Sequence, residues 1–530
     1  MPTDLIPIVD LHTNTVREST GGNGGQSILN IARFKNIEFR PDGTGGYTGQ
    51  SRLDVTRSVA WSSDDASSSR GRGIVGFDGY GQLRVDEDTY YYNGGSDTIT
   101  GGNSFYAEYL ASFIRARDSG VNNLIIVNAG HTSTHASANH GNVWYVPDST
   151  TGATRITDAD MPGNNGVSLT RGGAYLDGYL FLLDINGQIH NSNLNDITTW
   201  TATDFLTASS EPDYGIFLGK MGDNIVYIGT ESIEFFYNAG NASGSPLSVR
   251  GDLSYNVGCE WPNTIIQIED VIFFVGKNPG GNPTVYKLEN FQLTRIGNDF
   301  IDRSLLNTSS YMGAITDLEP VTVDYTMAYL YSEMAGPVLV FNRGVVGFWH
   351  NINMGIWSLV DLGFNLTYKG VFSSTIGNFP LVYSDHPKTS TLMFSNGAVA
   401  TINNAASASG IRDLGAASDA DSYVFTAPWN GGTNRKKRIN RVRVIGKPLV
   451  NSTYDPTPFQ FGWIDLKAPT SSGASIGDMT NEREIDISDD RNNELTRCGT
   501  TRQRIWGFKF TDTAMAVVSG IEVDYEIVGT

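Results

Sequence analysis

Apolar positions fall in short bursts along the chain, and Gly, Asn and Asp clusters break them. Asn224-Ile225-Val226-Tyr227-Ile228-Gly229 is followed closely by Ile233-Glu234-Phe235-Phe236-Tyr237. Runs of about five residues bounded by turn formers predict short strands, as in β-sandwiches, barrels and propellers. No window carries the 3.6-residue period of a long amphipathic helix. The expected class is all-β.

Stacking the bursts exposes a repeat. Asp177-Gly178 precedes Tyr179-Leu180-Phe181-Leu182-Leu183, Asp223 precedes Asn224–Gly229, and Asp270 precedes Val271-Ile272-Phe273-Phe274-Val275. These aspartates recur at intervals of about 46 residues, the length of a propeller blade of several strands. Looser copies occur at Leu124–Val127 with Val143–Val146, at Met327–Tyr331 with Val338–Phe341, and at Pro380–Tyr383 with Leu392–Phe394. Both faces of a blade are apolar and need neighbours, so the array is expected to close on itself. Six or seven blades are expected over residues 66–403; irregular β-sandwiches are the alternative.

The two ends differ from this middle. Residues 1–65 read as an extended arm packing on something else, with Gly-rich joints at 19–25 and 41–46 and a short amphipathic piece at 28–34. Residues 404–422 are rich in Ala, Ser and Gly and read as a linker. From 423 to 530 apolar and polar residues alternate in six runs, which predicts strands with one buried and one wet face in a C-terminal β-sandwich.

Composition narrows the function. The 530 residues carry 37 Lys and Arg against 56 Asp and Glu, a formal charge of −19. Such a chain repels a duplex as a whole, whereas a nucleic-acid reader presents a basic surface. An acidic wall that DNA slides past is compatible with the same numbers. The two cysteines, Cys259 and Cys498, form no CxxC pair, so neither a zinc ribbon nor a disulfide scaffold is expected; they fit a reducing cytoplasm. No signal-peptide pattern opens the sequence and no apolar stretch reaches membrane-spanning length, so neither export nor membrane insertion is expected.

Candidate chemistry is sparse. His131, His135 and His140 lie among Thr, Ser, Asn and Gly, the composition of a loop, and no Glu follows the first as in HExxH. Acidic clusters at Asp64-Asp65, Asp86-Glu87-Asp88 and Asp489-Asp490 read as exposed turns. The spacing a glycosidase needs between two carboxylates is not legible in sequence. Gly473-Ala474-Ser475-Ile476-Gly477 spells a nucleophile elbow but lacks the strand before it and the helix after it. Gly71-Arg72-Gly73-Ile74-Val75-Gly76 spells a dinucleotide fingerprint but opens no helix. No catalytic residue, cofactor site or metal site is assigned, and an enzyme is not expected.

One charge run stands apart: Arg435, Lys436, Lys437 and Arg438, continued by Arg441 and Arg443. In a strand Arg441 and Arg443 share one face, and Val442 and Val444 the other. The bland account is a charged edge strand that resists aggregation. The functional one is a docking surface for an acidic neighbour, an adjacent copy of this chain included, with a DNA backbone contact third.

The stretch Trp200-Thr201-Ala202-Thr203-Asp204-Phe205, then Pro212-Asp213-Tyr214-Gly215-Ile216, Glu231-Ser232-Ile233-Glu234-Phe235-Phe236 and Phe291-Gln292-Leu293-Thr294-Arg295 resembles the packaged-DNA stabilisation proteins of short-tailed bacteriophages, the tail hub or nozzle. The ending, Gly507-Phe508-Lys509-Phe510 with Val518-Ser519-Gly520-Ile521, looks like that family's terminal hairpin. The resemblance implies a non-enzymatic virion component assembled in the host cytoplasm. It implies a ring, of six copies, joined to the portal through an adaptor ring. A needle, plug or knob and tail fibres lie beyond it, and duplex DNA passes through the lumen without specific binding. A receptor- or glycan-binding tail protein and a propeller glycosidase are the alternatives.

Overall fold

A computed structural model gives the fold, and in it the apolar bursts are strands. It describes residues 3–7, 34–35, 37–39, 47–49, 52–56, 73–77, 81–85, 89–92, 95–98, 111–129, 141–147, 152–208, 211, 213–259, 261–277, 280–298, 301–302 and 305. It also describes 326–332, 336–343, 346–361, 380–381, 391–394, 399–403, 422–426, 429–430, 431–448, 459–465, 480–485, 493–510 and 516–528. The histidine loop at 131–140, the three acidic clusters, the Ser475 string, the piece at 28–33 and the expected linker at 404–421 lie outside these residues.

Among the described residues, seven antiparallel meanders of four strands follow one another. Sheets one to six span 73–98, 112–155, 174–207, 215–255, 266–295 and 326–361. Sheet seven takes three strands from 380–403 and its fourth, Arg52–Thr56, from near the start of the chain. The Gly-rich string at 71–76 runs into the strand Gly73–Phe77 of sheet one, an antiparallel setting with no following helix.

The meanders exist because consecutive apolar residues point to opposite faces of a strand, and both faces are covered. In sheet four, Leu218, Ile225, Tyr227 and Phe236 pack with Leu176, Phe181 and Leu183 of sheet three. Their alternates Phe217, Val226, Ile228 and Phe235 pack with Ile272, Phe274 and Leu288 of sheet five. Phe273, Val275 and Val285 then face Leu339, Phe341 and Phe348 of sheet six. Ile125 and Val127 of sheet two meet Leu180 and Leu182 of sheet three in the same way. Burying each such side chain contributes about 1.5–3 kcal/mol.

The repeating aspartates occupy the two-residue turns between the first and second strands. Asp177-Gly178 has φ of 50° and 89°, a turn with both residues left-handed, which glycine at the second position accepts without strain. Gly222-Asp223 and Glu269-Asp270 fill the same place in sheets four and five. These turns also join neighbouring sheets. The Gly222 N–H donates to Asp270 Oδ1 at 2.9 Å, and Asn238 Nδ2 donates to Asp177 Oδ2 at 2.9 Å.

The C-terminal strands form two sheets around one core. Lys437–Pro448 and Ala516–Ile527 pair along their length, while Arg504–Phe510 lies between Ser422–Phe425 and Phe459–Asp465. Val442, Val444, Ile521 and Val523 of the first sheet pack with Phe461, Trp506 and Phe508 of the second. Neither sheet is built from 423–530 alone. Thr3–Pro7 pairs with Ala516–Ile527, and Phe34–Lys35 is inserted between Ser422–Phe425 and the Ile356–Asp361 strand of sheet six. The N-terminal strands thus pair with the C-terminal sheets and with sheet seven.

Candidate functional site

The basic run lies where the loop 429–436 enters the strand Lys437–Pro448. From Val442 a strict alternation would place Arg438 inward and Lys437 outward. The pairing with Ala516–Ile527 skips Asn440: Ile439 faces Tyr525 and Arg441 faces Asp524. That one-residue bulge reverses the alternation on its N-terminal side. Arg438 therefore joins Arg441 and Arg443 on the wet face, and Lys437 turns into the core.

On the wet face the arginines are matched by acids of the same sheet. Arg438 Nη1 lies 2.8 Å from Glu526 Oε1, and Arg441 Nε lies 2.7 Å from Asp524 Oδ2. Arg441 Nη1 is also 3.3 Å from Glu494 Oε1, and Arg443 Nε is 3.8 Å from the same oxygen. The Thr3 hydroxyl, donating at 2.7 Å, and then Arg441 hold the Asp524 carboxyl below its usual range. These half-exposed pairs are screened by water and contribute little to stability, and they spend the charge a partner would use.

Lys437 leaves the surface altogether, with 0 % of its area exposed, and this corrects its place in the expected docking surface. Its ammonium donates to the carbonyl oxygens of Thr433 (2.5 Å), Arg435 (2.8 Å) and Arg502 (3.0 Å). It sits 5.8 Å from the centre of the Trp429 ring. Three donors meet three acceptors, so the buried charge is satisfied. Burial still pushes the ammonium below its ordinary range, with Asp4 opposing. The Trp429 indole N–H donates to that Asp4 at 3.1 Å.

Arg435 and Lys436 stay exposed, and neither pairs with a carboxylate among the described residues. Arg502, also exposed and without such a pair, joins them because its carbonyl shares the Lys437 ammonium. Sequence reasoning missed Arg502: it lies some 65 residues downstream in a short turn, and the pairing of Thr500-Thr501 with Lys437-Arg438, together with the buried ammonium, brings it to the basic loop. Beneath, Arg504 is 1 % exposed, clamped by Asp465 at 2.7 and 3.0 Å and lying 4.6 and 5.0 Å from the Trp463 and Trp506 rings. It is a strut of the core rather than a surface charge.

Among the described residues no group of three or more His, Cys, Asp or Glu is placed to hold a metal ion. The buried His190–Asp184 pair, 3.1 Å apart, closes a turn in which Asp184 also accepts from the Asn186 and Gln188 N–H groups. Cys259 and Cys498 are free and buried, and burial pushes the Cys498 thiol up to about 11. No helix among the described residues is long and apolar enough to cross a membrane.

A family model described as phage stabilisation, "Bacteriophage P22 Gp10, beta-propeller", matches residues 119–385, half of the chain. No curated protein matches. Among solved structures, the Pan2 WD40 domain of Neurospora crassa is 8 % identical, with a TM-score of 0.36 over 64 % of this chain and 90 % of that one. BamB from Moraxella catarrhalis is 7 % identical, with a TM-score of 0.32 over 62 % of this chain and 94 % of that one. PorZ of Porphyromonas gingivalis is 10 % identical at 0.32, over 71 % of this chain and 44 % of that one. Similarities this low carry no argument here.

Proposed function

The chain belongs to the phage stabilisation family of the P22 Gp10 β-propeller, and from that premise we propose that it is the tail hub, or nozzle, of a short-tailed bacteriophage. As a member of that family it is a structural virion protein and not an enzyme. In the proposed role, copies form a ring, six in number, that continues the channel of the portal and its adaptor ring. A needle, plug or knob and the tail fibres attach beyond it. The ring retains packaged DNA and later conducts it, and it is assembled in the host cytoplasm.

The observation that carries this reading is the family match, which runs from sheet two to the first strand of sheet seven. Two features support it. Sheet seven receives its fourth strand from Arg52–Thr56. We take this as the closure of a seven-bladed propeller formed by 66–403 together with this strand of the arm, a rigid block suited to a ring wall. Residues 1–65 act as an arm and 404–422 as a linker, and 423–530 form a C-terminal sandwich that the arm completes. The charge of −19 per chain, multiplied around a ring, suits a conduit that must not grip phosphates.

Particles made without the protein test the role. They should fill with DNA and then lose it, and free subunits should bind duplex negligibly at about 150 mM salt, where screening acts over about 8 Å. Particles that stay full and infectious without it would overturn the hub reading.

A further inference from the structure

Two oppositely charged surfaces are built into the fold at fixed places. The first is the tip of the C-terminal sheet, where Arg435, Lys436 and Arg502 are exposed and unmatched by carboxylates among the described residues. The Lys437 ammonium beneath them holds the two loops together and adds a fourth positive charge, and all its donors are spent on backbone carbonyls. In a chain of charge −19 this tip is a local inversion of sign.

The second surface is the row of turns between first and second strands in sheets three, four and five. Asp177, Asp223, Glu269 and Asp270 are all exposed there. The turns lie side by side, because the Asp270 carboxylate accepts from the Gly222 N–H and Asn238 reaches the Asp177 carboxylate. Asn238 is itself beside the Gly222-Asp223 turn, since Tyr237 pairs with Asn224.

We propose that the basic tip of one copy docks on the acidic turn row of the next copy, a head-to-tail contact between two different patches of the same chain. This inference rests on the ring reading above. A cyclic ring beyond a dimer needs such a heterologous contact, and unlike patches satisfy it where self-pairing of either patch would set like charges together. The occupant is a second copy rather than DNA, because the complementary acidic row is built into this chain itself and a ring sets such copies side by side.

The test uses particles assembled with variant full-length chains, counting copies of the chain per particle. Arg435→Glu with Lys436→Glu and Arg502→Glu spares Lys437, so the fold of the tip is kept. Asp223→Lys with Glu269→Lys reverses the row without touching the two carboxylates that bond across sheets. Melting curves of both variants should match wild type. Each variant alone should enter particles at least tenfold less than wild type, and a chain carrying both sets should recover most of the loss. Normal incorporation of the reversed tip, or no recovery in the combined chain, would overturn the interface. Tip variants that assemble normally but lose salt-sensitive duplex binding would reassign the tip to DNA. A single copy per wild-type particle would instead remove the ring reading, and that count is read independently of the variants.

Discussion

Replacing Lys437 with methionine should cost the C-terminal sheets about 2–3 kcal/mol, although the residue belongs to a run that reads as surface charge. The ammonium makes three hydrogen bonds to carbonyls, and bonds to charged groups contribute about 1.5–3 kcal/mol each when nothing replaces them. Two acceptors belong to exposed residues, Arg435 and Arg502, so water recovers part of that loss. Methionine keeps an apolar stem beside Trp429 and removes the cost of burying a charge, which lowers the total further. By contrast, Arg435→Ser with Lys436→Ser and Arg438→Ser should stay within about 1 kcal/mol, since only the exposed Arg438–Glu526 pair is lost. Urea unfolding followed by tryptophan fluorescence is a suitable assay, because Trp429 and Trp506 lie 6.2 Å apart beneath the site. With a slope of about 2 kcal/mol per M, the methionine variant should unfold about 1 M earlier than wild type. Equal midpoints for the methionine and triple-serine variants would refute the assignment of Lys437 to the core.

Two further outcomes follow from buried polar groups. His350 is held down to about 3 by burial first and then by Lys287, and it packs on Trp357 at 4.4 Å. Its folded value lies below its unfolded one, so the unfolded chain binds the proton first. The stability present above pH 6.5 should be lost as the pH falls toward 3, by as much as about 4 kcal/mol. His350→Leu should flatten that part of a melting-temperature profile, and an unchanged slope would show that other groups govern it. Asp213 accepts from the Tyr227 hydroxyl, the Glu231 and Ser232 N–H groups and the Ser232 hydroxyl at 2.9–3.2 Å. Asp213→Ala should destabilise by about 3–4 kcal/mol in chemical unfolding and Tyr227→Phe by about 1, with the double variant less than additive; strict additivity would contradict the shared network.

Much of the architecture was legible from the chain because its physics is local. Doubly apolar runs such as Ile225–Ile228 demand cover on both faces, and turn formers at about 46-residue spacing cut them into meanders, so a repeating all-β array could be read directly. The burial of Val442 and Val444 against half-exposed Arg441 and Arg443 followed from alternation in the same way. What the aspartates do was not legible. As markers of a repeat they are sequence features, but the part Asp177 and Asp270 play as acceptors bonding one sheet to the next depends on which turns the stacking brings together.

The docking surface shows the same division more sharply. The order of residues is enough to show that positive charge concentrates at 435–443 in an otherwise acidic chain. Which of those charges remain available is a property of the folded chain. A bulge at Asn440 turned Lys437 inward and Arg438 outward, the facing strand supplied Glu522, Asp524 and Glu526, and a distant turn added Arg502. A side chain's face depends on strand register, and register is set by pairing with residues some 80 positions away, which no local pattern encodes.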